Sequence, residues 1–333
     1  MMSLPEPLER MTFDTARLVK EHPPLLRHPN KRAVYEIACR ADDTCGGEIG
    51  YTRWPAFELP AQVDPSAGLA ILESQCGIMD YAPVADIPGA FEWHVNFADP
   101  MLFFAYGSGL FAQDEMQCAE HPALGSLVEA LRADGHRSVT ETADGPTPVL
   151  VTGVERRCRV ATNMNAAKGR PRGLYGNEFA VAAPEAIARA TKRIEPPTIT
   201  NLIAMAAPTY RSGRYEREMI ERILLTAYTG FAAAVAESAR IAPGAPVVVH
   251  TGFWGCGAFG GNRTLMSMLQ LIAAGMAGLA QLVFHTASAE GTSLSDAEQI
   301  IREQLAVGGP LAIGELIDRI DAMAFEWGRS EGT

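Results

Sequence analysis

Five glycines (Gly252, Gly255, Gly257, Gly260 and Gly261) fall within ten residues, between an apolar run, PVVVH, and a helix-like one, RTLMSMLQLIAAG. Glycine tolerates positive φ and lets a ligand approach the backbone with no Cβ in the way. A glycine-rich turn feeding a helix near Thr264 presents successive N–H groups, the chemistry that seats a phosphate or diphosphate. A turn that only connects two elements needs fewer glycines. The loop also holds a literal G-x-G-x-x-G at Gly255, Gly257 and Gly260, so a nicotinamide-dependent oxidoreductase is a rival reading. That fingerprint requires an Asp or Glu roughly 20 residues further on, ending the next strand, to hold a ribose hydroxyl. Here the next strand, LAQLVF, runs into His285, Thr286 and Ala287, and the first acid is Glu290. The required context is missing.

The string TGFWGCGAFGG (251–261) resembles the diphosphate-binding loop of poly(ADP-ribose) glycohydrolases, which reads close to TGNWGCGAFGG. Trp254, Cys256 and Phe259 make the match specific, because a generic glycine-rich loop does not call for them. The resemblance implies a macrodomain, a mixed sheet between helices that holds ADP-ribose in a cleft. It implies that the loop, from Gly252 through Trp254, Gly255, Cys256, Gly257 and Ala258 to Gly260, wraps the diphosphate. It also implies that Phe259 orients the terminal ribose.

A second segment, HVNFADPMLFFAYGSGLFAQDEMQ (94–117), resembles the same family in order and spacing. Asn96-Phe97-Ala98-Asp99 takes the place of its strand-end motif. Gln113-Asp114-Glu115 stands where the family has Gln-Glu-Glu, 14 residues after Asp99. Cleaving a glycosidic bond at the ribose C1″ builds oxocarbenium-like charge and expels a leaving group, which a carboxyl group can protonate before it activates water. Such a group needs a raised pKa, supplied by partial burial beside another acid. By the resemblance Glu115 is the catalytic acid, with Asp114 and Asp99 beside it, Asn96 near the terminal ribose, and Gln113 orienting. On a strand or turn, neighbouring side chains diverge, so Asp114 and Glu115 are not expected to act as a facing pair.

The departures are local. Asp99 replaces an Asn, Phe103-Phe104-Ala105 replaces a glycine triplet, and Asp114 replaces a Glu. They point to a divergent member that removes single ADP-ribose units from proteins as plausibly as it trims polymer. The alternative is a reader module that binds ADP-ribose without cleaving it. Neither reading requires a cofactor or a metal.

Other candidates are weaker. Tyr210 is placed to stack on adenine, and Arg211 and Arg214 to meet phosphate, though a structural Tyr and a solvated turn serve equally well. Residues 163–179 form a Gly- and Arg-rich loop that offers Lys168, Arg170 and Arg172 to a partner protein. Cys118 and His121 have C-x-x-H spacing, but two ligands are not the four a zinc site needs. Ser108 and Ser212 lack the surroundings of a nucleophile elbow.

Strand-like and helical stretches alternate, which argues for a layered α/β sheet. Strands are expected at 91–97, 149–152, 158–162, 198–206, 246–250 and 280–286. Helices are expected at 32–40, 67–79, 122–133, 185–192, 215–239, 264–277 and 311–327. Residues 1–60 are polar and Pro-punctuated and are expected to form a peripheral extension, packed through Trp54 and Phe57, ahead of a catalytic domain spanning 61–333.

Bulk composition sets the outer limits. Charged residues make up 20% of the 333 and the net charge is −11, which excludes the basic face that broad nucleic-acid binding needs. The longest apolar run, 269–284, carries Gln270, Gln281 and two glycines, so no membrane span is expected from it. Six cysteines with no repeated pairing, and an opening MMSLPEPLER without an apolar core, lead us to expect a reducing cytoplasm and no signal peptide.

Overall fold

The computed structural model describes residues 5–41, 43–209, 212–287 and 292–329. In chain order its strands are β1 (Glu9–Asp14), β2 (Glu48–Arg53), β3 (Gln62–Val63), β4 (Leu72–Gln75), β5 (Phe91–Ala98), β6 (Glu141–Thr142), β7 (Gly145–Pro146), β8 (Val149–Val160), β9 (Thr191–Ala206), β10 (Val247–Gly252), β11 (Gln281–His285) and β12 (Leu311–Ala312). The helices are α1 (Thr15–Glu21), α2 (Pro29–Ala38), α3 (Gln113–Glu120), α4 (Ala123–Ala133), α5 (Glu178–Val181), α6 (Pro184–Ala190), α7 (Arg217–Ile241), α8 (Arg263–Ala277), α9 (Thr292–Ile300) and α10 (Ile313–Ala322).

Eight strands form one mixed sheet in the order β1-β2-β8-β9-β5-β10-β11-β4. The β1, β2, β8 and β9 pairings are antiparallel, whereas β9, β5, β10, β11 and β4 run parallel. The parallel half needs long crossovers, and α7 and α8 supply two of them, β9-α7-β10 and β10-α8-β11. Alternation along the strands sends Trp93, Val95, Val249, Leu282 and Phe284 into the core shared with α7 and α8. The opposite face is packed by α1 and α4 through Ile49, Tyr51, Val151 and Leu202. By length and composition α7 could cross a membrane, but most of its apolar stretch is buried against the sheet.

Several expectations need correction. The 1–60 segment is not peripheral, because β1 and β2 extend the main sheet through the β2–β8 pairing and Ile49 and Tyr51 are fully buried. Trp54 and Phe57 do join the core. The stretch 67–79 holds one 3-10 turn, Ala67–Ile71, and then β4, since a strand edge on β11 outweighs its helical periodicity. The two short strands expected at 149–152 and 158–162 are one, β8, whose register against β9 shifts near Gly153 and Arg157. Helix α3 was not expected. It starts where Ala112 leaves the extended region, and Asp114 and Glu115 in its first turn favour the positive end of the helix dipole. It stops at His121, ahead of Pro122.

Candidate active site

Helix α3 begins at the carboxyl end of β5, and Gln113 fastens the two together. Its Oε1 accepts the Phe97 N–H at 2.8 Å, and its Nε2 donates to the Val95 carbonyl at 3.0 Å. This fixes the next two side chains. Asp114 Oδ1 accepts from Asn96 Nδ2 at 2.9 Å, and Glu115 Oε2 accepts the Ala112 N–H at 3.0 Å. Both acids are buried, at 6% and 4% exposure. Burial pushes both carboxyls above their usual range. For Asp114 the charge of Glu115 adds to the shift, while the Asn96 amide and Lys31 oppose it. For Glu115 the leading opposing influence is Lys31.

Lys31 is the residue that sequence reasoning missed. It comes from α2, only 2% exposed, and donates to the Tyr106 carbonyl at 2.8 Å. Its ammonium lies 5.2 Å from the centre of the Phe111 ring. Burial lowers its pKa to about 8, against the opposing pull of Glu115. Only the fold brings it beneath α3, and nothing in its local sequence marks it.

The acids open into a chamber of about 240 Å³ bounded by Asp99, Phe104, Glu115, Gly257 and Phe259. A second chamber of about 340 Å³ lies against Tyr81, Arg156, Gly252, Cys256 and Arg263. Phe97, Gln113, Tyr175 and Gly257 border both, so the two are ends of one cleft. Tyr175 is what the 163–179 loop contributes there. Arg170 of that loop is 4% exposed and bonded to Asn163, and Arg172 pairs with Glu178 at 2.9 Å.

The glycine loop is a turn that only glycine builds. Gly255 has φ +73°, and a Cβ on it would sit 2.5 Å from that of Ala207. The amides of Trp254, Cys256, Gly260 and Gly261 bond within the loop. Those of Gly255, Gly257 and Phe259 bond to none of the described residues and are left to meet an anion. The helix N-terminus contributes less than expected. Helix α8 starts at Arg263, and Asn262 caps it by accepting the Leu265 N–H at 3.0 Å. Asn262 also donates to the Glu326 carbonyl at 2.9 Å.

Of the residues singled out in the sequence, Asp99, Asp114, Glu115, Gly255, Ala258 and Phe259 border the smaller chamber and Gly252 and Cys256 the larger. Gln113 and Gly257 border both. Three do not border the cleft. Asn96 is fully buried behind Asp114, Trp254 is fully buried with Nε1 donating to the Met205 carbonyl at 3.1 Å, and Gly260 shapes the turn at φ +61°. Tyr210, Arg211 and Glu290 lie outside the described residues. Arg214 is turned away to Asp321, at 2.7 Å. Cys118 Sγ donates to Asp114 and His121 Nδ1 to the Gln117 carbonyl. Among the described residues no group of three or more His, Cys, Asp or Glu is arranged to hold a metal ion.

The floor of the larger chamber holds a column of rings that the sequence did not announce. Tyr81 stacks on His94 (4.7 Å), His94 on His250 (4.3 Å), and His250 on His285 (5.6 Å). Arg156 lies 4.2 Å over the other side of Tyr81. His94 and His250 are direct partners on β5 and β10, and His285 lies on the same face of β11 two positions further along, opposite Gly252, a grouping visible only once the register is known.

Residues 161–293 match the family model described as poly(ADP-ribose) glycohydrolase, macro domain fold. The matched stretch contains β9, α7, β10, the glycine loop, α8 and β11; the acids of α3 lie before it. No curated protein matches the chain. Similar solved structures include a variant of the poly(ADP-ribose) glycohydrolase from Thermomonospora curvata, at 16% identity and TM-score 0.44, covering 71% of this chain and 84% of that one. Another is the poly(ADP-ribose) glycohydrolase from Deinococcus radiodurans in complex with ADP-ribose, at 13% identity and TM-score 0.40, covering 89% and 95%.

Proposed function

We propose that this protein is a macrodomain-type ADP-ribose glycohydrolase, which holds ADP-ribose in the cleft and hydrolyses its bond to a protein side chain or to a further ADP-ribose unit. One observation carries the reading. A buried carboxyl, Glu115, with its pKa raised, faces a chamber that is continuous with a glycine turn presenting unbonded amides. The family match over 161–293 supports the ligand class.

In this reading the diphosphate lies on the Gly255 and Gly257 amides, with Arg263 adding a cation. The nucleoside end occupies the larger chamber, and the terminal ribose sits between Phe259 and Glu115. Glu115, kept protonated by burial, donates its proton to the atom leaving C1″. Its carboxylate then takes a proton from the water that attacks C1″. Asp114 is held facing inward by Asn96 and Cys118 and braces the first turn of α3, which carries Glu115. Lys31 balances the pair from below. The substrate is ADP-ribosylated protein, and the protein works in a reducing cytoplasm.

The test is ADP-ribose release from arginine-modified, glutamate- or serine-modified protein and from poly(ADP-ribose), with wild type and Glu115→Gln side by side. Gln can still accept the Ala112 N–H, so the helix start survives. Turnover is expected to drop about 10³-fold, the scale of a lost general acid, with ADP-ribose affinity by calorimetry nearly unchanged. No release from any substrate by the wild type, with tight ADP-ribose binding, would mean a reader domain instead.

A further inference from the structure

The cleft sorts charge along its length. The larger chamber carries Arg156, Arg159 and Arg263, and among the described residues that line it the carboxylate is Glu120, which pairs with Arg156 at 2.7 Å. The smaller chamber carries the carboxyls of Asp99, Asp114 and Glu115, the last two pushed up in pKa by burial, and among the described residues it is bordered by no Lys, Arg or His. Lys31, 2% exposed, does not border it. The smaller chamber is also aromatic. Phe104 stands 52% exposed at its mouth, opposite Tyr175. Its neighbour Phe103 holds the turn at φ +52° with a fully buried ring, so Phe104 is presented by an anchored loop. Asp99 spends Oδ1 on the Met101 N–H at 2.9 Å, and its Oδ2 takes no hydrogen bond from the described residues.

The anionic part of ADP-ribose lies where the glycine turn meets Arg263, at the junction of the two chambers, so the carboxyl-lined end beyond it faces what is attached to the ribose. Resting on the glycohydrolase reading above, we infer that the leaving group is cationic: the guanidinium of an ADP-ribosylated arginine side chain. A guanidinium is planar, matches a carboxylate such as Asp99 edge-on, and lies favourably on aromatic faces such as Phe104. Leu110 and Ala112 on the same wall suit its methylene stem. A polymer leaving group brings further diphosphates, and a glutamate or aspartate ester expels a carboxylate. Both meet the like charge of the Asp99 carboxylate. A serine hydroxyl is neutral and gains nothing from Asp99. In the reaction the C1″–N bond breaks with its electron pair on nitrogen, and the hydroxyl of water joins C1″. The water's other proton reaches that nitrogen by way of Glu115, releasing ADP-ribose and an intact arginine guanidinium.

The test compares kcat/KM for proteins modified on arginine, serine or glutamate and for poly(ADP-ribose), using wild type and Asp99→Lys. The arginine-linked substrate is expected to exceed each of the others by at least about tenfold. Asp99→Lys is expected to cut the arginine-to-serine ratio by about tenfold or more, a change of selectivity that a general structural defect does not produce. Fastest release from polymer or from the glutamate ester, or an unchanged ratio in the variant, overturns the inference and leaves the glycohydrolase standing. No release from any of the substrates removes the glycohydrolase reading and the inference with it.

Discussion

Along β5, Trp93 and Val95 enter the apolar layer beneath α7 and α8, while His94 and Asn96, alternating with them, face the side that carries the cleft. The same alternation runs through β10, with Val249 against His250, and β11, with Phe284 against His285. The two faces follow different rules. On the helix-covered face a polar atom is rare and provided for, as where Trp93 Nε1 donates to Ser238 Oγ at 2.8 Å. On the cleft-bearing face, both ring nitrogens of His94, Asn96 Oδ1, Gln117 Oε1 and His121 Nε2 are buried with no hydrogen-bond partner among the described residues. Unsatisfied buried groups cost stability and gather where a site has a task other than folding. One face of these strands is therefore optimised for packing, and the other accepts a folding penalty to hold groups at fixed positions.

That contrast can be broken from either side. The largest effect is expected on the apolar face, where Phe231→Ala empties a fully buried site and should cost about 3–5 kcal/mol. Denaturant unfolding measures it, and the folded fraction should keep its kcat/KM. A smaller effect, confined to activity, is expected from Lys31→Met. The ammonium opposes the burial-driven rise of Glu115, so its loss should move the alkaline limb of the pH–rate profile to higher pH. An unmoved limb would detach Lys31 from the acids.

The smallest and most gradual effect concerns the ring column. Burial lowers His285 to about 4 and His121 to about 3, and takes His94 well below the usual value. The unfolded chain binds these protons near pH 6.5 and the folded chain does not. Stability is therefore whole above pH 6.5 and falls as pH drops from there toward about 4. Unfolding midpoints at pH 7.5 and 5 should differ, and His94→Phe should narrow the gap. Equal midpoints would mean that the column tolerates charge.

The site was more legible in the sequence than the scaffold around it. Glycine spacing from 252 to 261 carries its own physics, and so does an acid pair, because both depend on neighbours in the chain. What escaped depends on register or on distant packing. The three histidines are 35 or more residues apart and meet only because β5, β10 and β11 pair as they do. Lys31 lies in a polar segment that reads as a surface extension until β2 is paired with β8. Asn96 and Trp254 fall within telling motifs, yet their side chains turn away from the cleft and support it from behind.

The position of β4 at the sheet edge carries a kinetic consequence. Among the described residues its one neighbour in the sheet is β11, and Gln75 pairs with His285, 210 positions later in the chain. At a synthesis rate of about 5–20 residues per second, β4 leaves the ribosome roughly 10–40 s before its partner exists. During that interval Leu72–Gln75 is an unpaired strand with nothing to template it. Two of its four residues, Glu73 and Gln75, are a charge and an amide, poor material for sticking to another chain while it waits.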